Sequence, residues 1–393
     1  FPLLGIALPP SHAYVTSGHL MHHDGEWRYE KFVGRVGVSD IAGNILVKTG
    51  GPHLSMQADL TSSVLDMVDL GPMMGMRPGS VATAKADVTG SARVLPELPF
   101  TTERWGSLDA EVSLKALAIR RTGDLPLDKL NVHLSLHDKV LRLDPLDFGI
   151  AAGHLSGKLS LDGRSNPILG HAQLQANQIQ LARLLPKLSL GQTNLGRIHG
   201  SLDLQGKGNS VGAMLAHADG RANLVIADGQ VSQLMMEKAG LHLWEMLQLS
   251  LSGDRLIHLR CALADFEVKQ GRMNIGALVF DTSVTTIEGT GNINLANESL
   301  DITLNQKTKN TSPLALTAPI HIAGSLAHPV AQVDKGRVAL RALGAIALGL
   351  VNPLLALVPL VDAGPGQDSD CGKLMREARG NHPVTPASAA AGK

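Results

Sequence analysis

The chain has 393 residues, 44% of them hydrophobic, with 35 basic and 35 acidic side chains. That apolar content excludes disorder of the whole chain, and the length allows two or three compact domains or one long sheet-based body. Zero net charge and only 3% aromatic residues argue against a nucleic-acid binder, which needs a basic stripe and rings for stacking.

The 42 glycines exceed the usual share of roughly 7%. With so few aromatics, the apolar content is aliphatic. An ordinary β-sandwich leans on Phe, Tyr and Trp in its strands; a sheet lined with Leu and relieved by Gly is a different object.

The first residues, "FPLLGIALPP", read as the end of a strand, without an initiator Met or a charged leader. The expectation is that an export signal or anchor lies upstream. Residues 61–70, with Ser63 three before Asp66, carry a capping-box pattern and predict a short helix. From there period-two alternation dominates, with one apolar and one wet face per strand. Val132, Leu134 and Leu136 share a face, as do Leu159 with Leu161, and Leu174 with Ala172 and Ala176. A helical patch over 178–185 is stopped by Pro186. The alternation resumes with Leu202 and Leu204, then Ala222, Leu224 and Ile226. "GKGNS" at 206–210 lacks the phosphate-loop spacing and predicts a hairpin turn. Residues 231–248 have mixed helical spacing. Strands return with Met273, Ile275, Ala277 and Val279, then Ile293 with Leu295, Leu300 with Ile302 and Leu304, and Ile320 with Ile322. Turn pairs separate them: Asp162-Gly163, Asp219-Gly220, Asp228-Gly229 and Gln270-Gly271.

A short pattern, apolar-x-Gly-x-apolar, recurs around Gly43, Gly90, Gly157, Gly200 and Gly324. On a strand this Gly falls on the apolar face. Either it bends the strand and coils the sheet around its apolar side, or it marks a bulge in an ordinary sandwich. The irregular spacing makes this a loose repeat. Residues 336–361 are almost wholly apolar after Arg341, interrupted by Asn352, Pro353 and Pro359. Three readings stand for them: a helical hairpin plugging the sheet's end, a piece docked on a membrane surface, and a span.

The predicted fold class is mainly β: an elongated, curved antiparallel sheet forming a groove, with a few short helices and an apolar helical segment near the C-terminus. Residues 1–100 form the N-terminal part of the groove with a short helix, 101–334 its main part, 335–378 the apolar helical segment and 379–393 a disordered tail.

Catalytic and metal motifs are missing: there is no HExxH, CxxC, P-loop or GxSxG. His133 and His137 would stand roughly 13 Å apart on a strand, too far for one metal. Carboxylates such as Glu298 and Asp301 are expected on wet strand faces. No cofactor, no catalytic residue and no enzymatic activity is expected. Cys261 and Cys371 form either one disulfide or two buried thiols.

Many short blocks resemble the AsmA family of bacterial envelope proteins. They include "RVGVSDIAGNILV", "LPFTTERWGSLDAEV", "GRIHGSLDLQGKGNSVGAMLAHADGRANLVIADGQVSQLMMEKAGLHL" and "LRCALADFEVKQGRMNIGALVFDTSVTTIEGTGNINLANESLDITLNQKTK", in the family's order. The resemblance implies a periplasmic body, anchored to the inner membrane by a segment missing from this chain. It also implies an elongated β groove related to TamB-type bridge-like lipid transfer proteins, and a part in outer-membrane biogenesis and phospholipid movement. Cys261 and Cys371 fall in blocks where the family carries cysteines, which favours the disulfide.

A lipid tail cannot cross water alone, since each exposed methylene costs about 0.8 kcal/mol. On this reading the groove is lined by Leu134, Leu136, Leu159, Leu161, Leu174, Leu202, Leu204, Leu224, Ile226, Ile275, Val279, Ile293, Leu295, Ile302, Leu304, Ile320 and Ile322. The expected partners are phospholipid or another acyl lipid, the inner and also the outer membrane, and other envelope proteins, with no nucleic acid. The alternative is an assembly factor for outer-membrane proteins with a closed β core.

Overall fold

A computed structural model describes residues 14–66, 69, 93–100, 102, 105–120, 127–184, 196–227, 229–233, 255–309, 318–333, 336, 343 and 368–373. The alternating stretches form strands. The first part of the chain gives β1 (Tyr14–His23), β2 (Glu26–Val36), β3 (Ser39–Lys48), β4 (Leu54–Ser62) and β5 (Leu65–Asp66). Then come β6 (Leu108–Ala116), β7 (Ile119–Arg120), β8 (Leu127–His137), β9 (Val140–Ile150), β10 (Gly153–Asp162) and β11 (Leu169–Gln180). A short helix α1 (Leu181–Leu184), β12 (Arg197–Lys207), a second helix α2 (Val211–Leu215), β13 (Asp219–Ala227) and β14 (Gly229–Ser232) follow. The series ends with β15 (Leu256–Lys269), β16 (Arg272–Thr282), β17 (Thr285–Asn294), β18 (Ser299–Thr308), β19 (Ile320–Ser325) and β20 (Pro329–Val333).

These strands make one open sheet of 18, with β5 and β7 forming a separate two-stranded piece. Apart from β14, which adds to β15 beside the end of β13, the sheet is a single row in chain order from β1 to β20. Neighbours are antiparallel except β4 and β6, which run parallel. A parallel pair cannot be joined by a hairpin, so the chain between them must return outside the sheet.

The recurring glycines combine both sequence-level readings. Opposite Gly43, strand β2 carries an extra residue between Tyr29 and Phe32, and opposite Gly157, strand β9 carries one between Leu143 and Leu146. On the other side, a Cβ at Gly43 would stand 1.9 Å from the carbonyl oxygen of Asp59, and one at Gly157 would stand 2.0 Å from that of Gln173. Bulge and close approach together bend the strands of an open sheet. Gly90 lies outside the described residues.

Several local expectations are corrected. Residues 61–66 do not start a helix: Thr61 and Ser62 end β4, and Leu65–Asp66 is β5. The cause is long-range. The Asp40 carboxylate accepts the N–H groups of Ser63 (2.9 Å) and Val64 (2.6 Å), so Ser63 and Val64 serve a turn. Asp219-Gly220 opens β13 and makes no turn. "GKGNS" leads into α2, where Ser210 caps the helix by accepting the Ala213 N–H, so it is not a hairpin. Val231 and Ser232 are strand, and the rest of the expected helix at 231–248 lies outside the described residues except Gln233. The helix at 178–185 exists as α1, with Ile179 still in β11. The expected apolar helical segment and tail, 335–393, lie outside the described residues except 336, 343 and 368–373. Among the described residues no helix is long and apolar enough to cross a membrane.

Candidate functional site

Register fixes which side chains share a face. One row runs across the whole sheet: Leu20, Tyr29, Ile45, Ala58, Val112, Leu134, Leu143, Leu159, Ala172, Leu204, Gly220, Val268, Met273, Ile293, Leu300, Gly324 and Pro329, each paired with the next. A second row, from Leu60 through Leu114, Val132, Leu146, Gly157, Leu174, Leu202, Ala222 and Phe266 to Ile275, lies beside it. None of these side chains is charged. At the usual strand spacing the first row is roughly 75–80 Å long.

Cover over this apolar face is uneven. At one strand end Leu204, Ala218, Val268 and Leu295 form a buried cluster joined by Leu215 of α2 and by Leu95. At the other end Ala151, Ile179 and Ile198 are buried with Leu181 and Leu184 of α1. Phe32, Ala58 and Leu60 make a third cluster near the β1 edge, where Tyr29 stacks on Phe32. Between the two strand ends the floor is half-open: Leu159, Leu174, Leu202, Ile275 and Ile302 are half-buried, and Leu224 is 38% exposed. The result is an apolar trough with filled sides and an accessible middle.

Most of the residues predicted to line it lie on this face. Leu136, Leu161, Leu204 and Leu295 are buried in it, and Leu134, Ile226, Ile293, Leu304, Ile320 and Ile322 are half-buried. Val279 is an exception. Gly276 is an extra residue in β16, opposed by nothing in β15 or β17, and it reverses the alternation beyond it. Val279 therefore pairs with Leu263 on the outer face, and Leu278 and Phe280 take the inner positions. The sequence list also missed Leu143 and Leu146 of β9.

Much of the outer face is polar, and many of its charges meet across neighbouring strands. Glu111 takes both His133 Nε2 (2.9 Å) and His137 Nε2 (2.6 Å), so the two histidines converge on one carboxylate. His171 pairs with Asp203 at 2.7 Å and Lys307 with Glu288 at 2.7 Å. A cleft of about 450 Å³ at the turns flanking β2 and β4 holds Asp24, Glu26, Lys48, His53 and Asp109. There Lys48 pairs with Glu26 at 3.4 Å and His53 with Asp109 at 3.7 Å. Among the described residues no group of His, Cys, Asp and Glu is arranged to hold a metal ion.

Two polar centres fix the sides of the sheet. Cys261 and Cys371 form the disulfide, with Cα atoms 6.1 Å apart. Beside it the fully buried Asp281 meets Lys309 and Arg260, the latter at 3.3 Å, and accepts the Ser369 N–H at 3.0 Å. Asp368 closes the ring with Arg260 (2.7 Å) and Lys309 (2.6 Å), which hold its carboxyl below the usual range. Residues 368–371 are thus tied to β15 and β16 by a covalent bond and balanced charges.

At the opposite strand end stands Glu298, only 2% exposed. It was expected on a wet face, beside Asp301, which is exposed. Burial would raise its pKa, but N–H donation from Val94 (2.7 Å) and Leu95 (3.1 Å) and the Arg93 guanidinium (3.2 Å) outweighs this and holds the carboxyl below its ordinary value.

A family model described as AsmA family matches residues 11–278. The AsmA family protein YhjG of Escherichia coli (strain K12) is 32% identical over 394 residues, which cover 96% of this chain. The chain spans 57% of the length of that relative. No solved structure matches it. An open, groove-like antiparallel sheet, the disulfide and these two matches agree: the chain belongs to the AsmA family, whose members are associated with the bacterial envelope.

Proposed function

We propose that the trough carries acyl lipid, and that the protein moves phospholipid between inner and outer membrane without chemistry of its own. One observation supports this most: an apolar face that runs from strand to strand across the sheet and whose floor between the two strand ends, at Leu174, Leu202, Leu224 and Ile275, stays half-open. Successive positions along such a floor present similar aliphatic surface, so a tail can shift from strand to strand without a deep trap. A tail of sixteen carbons loses on the order of 12 kcal/mol in water, which this cover offsets in part. On this reading the protein works in the periplasm, held at the inner membrane. The second reading, an assembly scaffold for outer-membrane proteins, draws on the buried clusters at the sides of the trough.

Photocrosslinking amino acids placed at Leu202, Leu224 and Ile275, with Gln173 on the outer face as control, test the choice in cells. Phospholipid adducts at the three floor positions and none at Gln173 are expected. Protein adducts alone at the floor would leave only the scaffold.

A further inference from the structure

The return from β4 to β6 does not cross the sheet directly; its described part follows one side of the trough. Arg93–Leu95 lies against the β17–β18 turn through Glu298, and the Arg93 guanidinium also donates to Ala296 O at 2.7 Å. Pro96 O accepts the Gly212 N–H at 2.8 Å, and the Phe100 N–H donates to Asn209 O at 2.7 Å, which carries the segment past α2. Trp105 then reaches the turn at Gly163, and Ser107 O accepts the Leu54 N–H at 3.1 Å. The strap thus starts near β18 and runs back along about ten strand spacings, roughly 48 Å, to reach β6.

Three features set residues 93–100 apart from a passive loop. They pair with no strand of the sheet. Their outer side carries exposed Val94 (57%) and Leu98 (66%), while Leu95 alone enters the cluster of Leu204, Val268 and Leu295. Much of their attachment gathers on one carboxylate, Glu298, which also takes the Arg93 guanidinium. The strap is held by a few discrete bonds, where each strand of the sheet is held by a continuous ladder, so it is the easier of the two to lift. Beneath the strap the apolar floor continues, so lifting it would uncover more trough.

We propose that this strap is a side gate of the trough. Leu95 fills a place that an acyl tail takes when the strap lifts, and Glu298 is the clasp of the closed state. The inference rests on the lipid-trough reading and adds a route of uptake to it.

A Cβ at Gly212 would stand 3.7 Å from Leu95 Cβ, within disulfide range. The full chain carrying Leu95→Cys and Gly212→Cys can therefore be locked by oxidation and released by reductant. The probe is a long-chain fatty acid bearing a dansyl group, and the readout is the rate of its fluorescence rise. The oxidised form should take up probe at least about tenfold more slowly than the reduced form, equivalent to about 1.4 kcal/mol of barrier. The parent chain and each single variant, treated alike, should show no such difference, which controls for reduction of the Cys261–Cys371 bond. Glu298→Gln should speed uptake. Equal rates in the locked and released forms would overturn the gate and leave the trough standing. No probe binding in any form would overturn both.

Discussion

Leu224→Asp separates a lipid path from a closed core. Leu224 lies mid-floor between Gly200 of β12 and Ala264 of β15, and is 38% exposed. An aspartate there keeps its carboxylate in water, so the cost to folding is about 1–2 kcal/mol, well below that of an unpaired buried charge. Leu204→Asp, by contrast, would place a charge inside the cluster with Val268 and Leu295 and report only on unfolding. On the floor, a hydrated carboxylate removes cover from about five methylenes of a tail lying across it. At ~0.8 kcal/mol each, and with about half of each methylene already facing the open side, the loss is about 2 kcal/mol, or roughly 30-fold in occupancy. The assay is mass spectrometry of phospholipid co-purified with parent and variant, alongside thermal melts. A variant that melts like the parent and carries the same lipid load would refute the placement of tails on this floor.

Asp281→Ala should destabilise by about 1–3 kcal/mol, because it leaves Arg260 and the nearly buried Lys309 with Asp368 alone and takes the acceptor from the Ser369 N–H; urea unfolding measures this. Gly157→Ala should cost about 1–3 kcal/mol, because the new methyl group meets the Gln173 carbonyl and a neighbouring strand must shift; a drop in urea midpoint is the readout. Asp40 sets a pH limit. Burial raises its pKa, but the Ser63 and Val64 N–H groups outweigh this and lower it to about 2. Because its folded pKa is depressed, its contribution is complete above the unfolded value of about 3.9 and fades as pH falls through about 2. Asp40→Asn should therefore flatten the pH dependence of the melting temperature between about pH 4 and pH 2.

The floor was legible because alternation is a local signal: Leu202 and Leu204, or Ile302 and Leu304, need only their own strand to declare a face. Cys261 and Cys371 were legible through the family blocks around them. What failed depended on distant partners. Ser63 and Asp66 carry a helix-start pattern, but Asp40 and Ser39 engage that stretch from an earlier strand edge. Val279 was assigned to the wrong face because a single inserted residue, Gly276, shifts the alternation, and one glycine among 42 carries no mark of being that residue. The strap was invisible: "RVLPELPF" has no periodicity, and nothing near Glu298 in sequence announces that residues some 200 positions earlier bury it.

Pairing each strand with its chain neighbour has an evolutionary corollary. A hairpin can be gained or lost almost anywhere after β6 without re-registering the others, and each such step changes the reach of the molecule by two strand spacings, roughly 10 Å. Length can thus drift in quanta while the pairing of the remaining strands stays the same. The parallel joint between β4 and β6 is the exception: there a single strand, antiparallel to both, could be added without reversing any later strand.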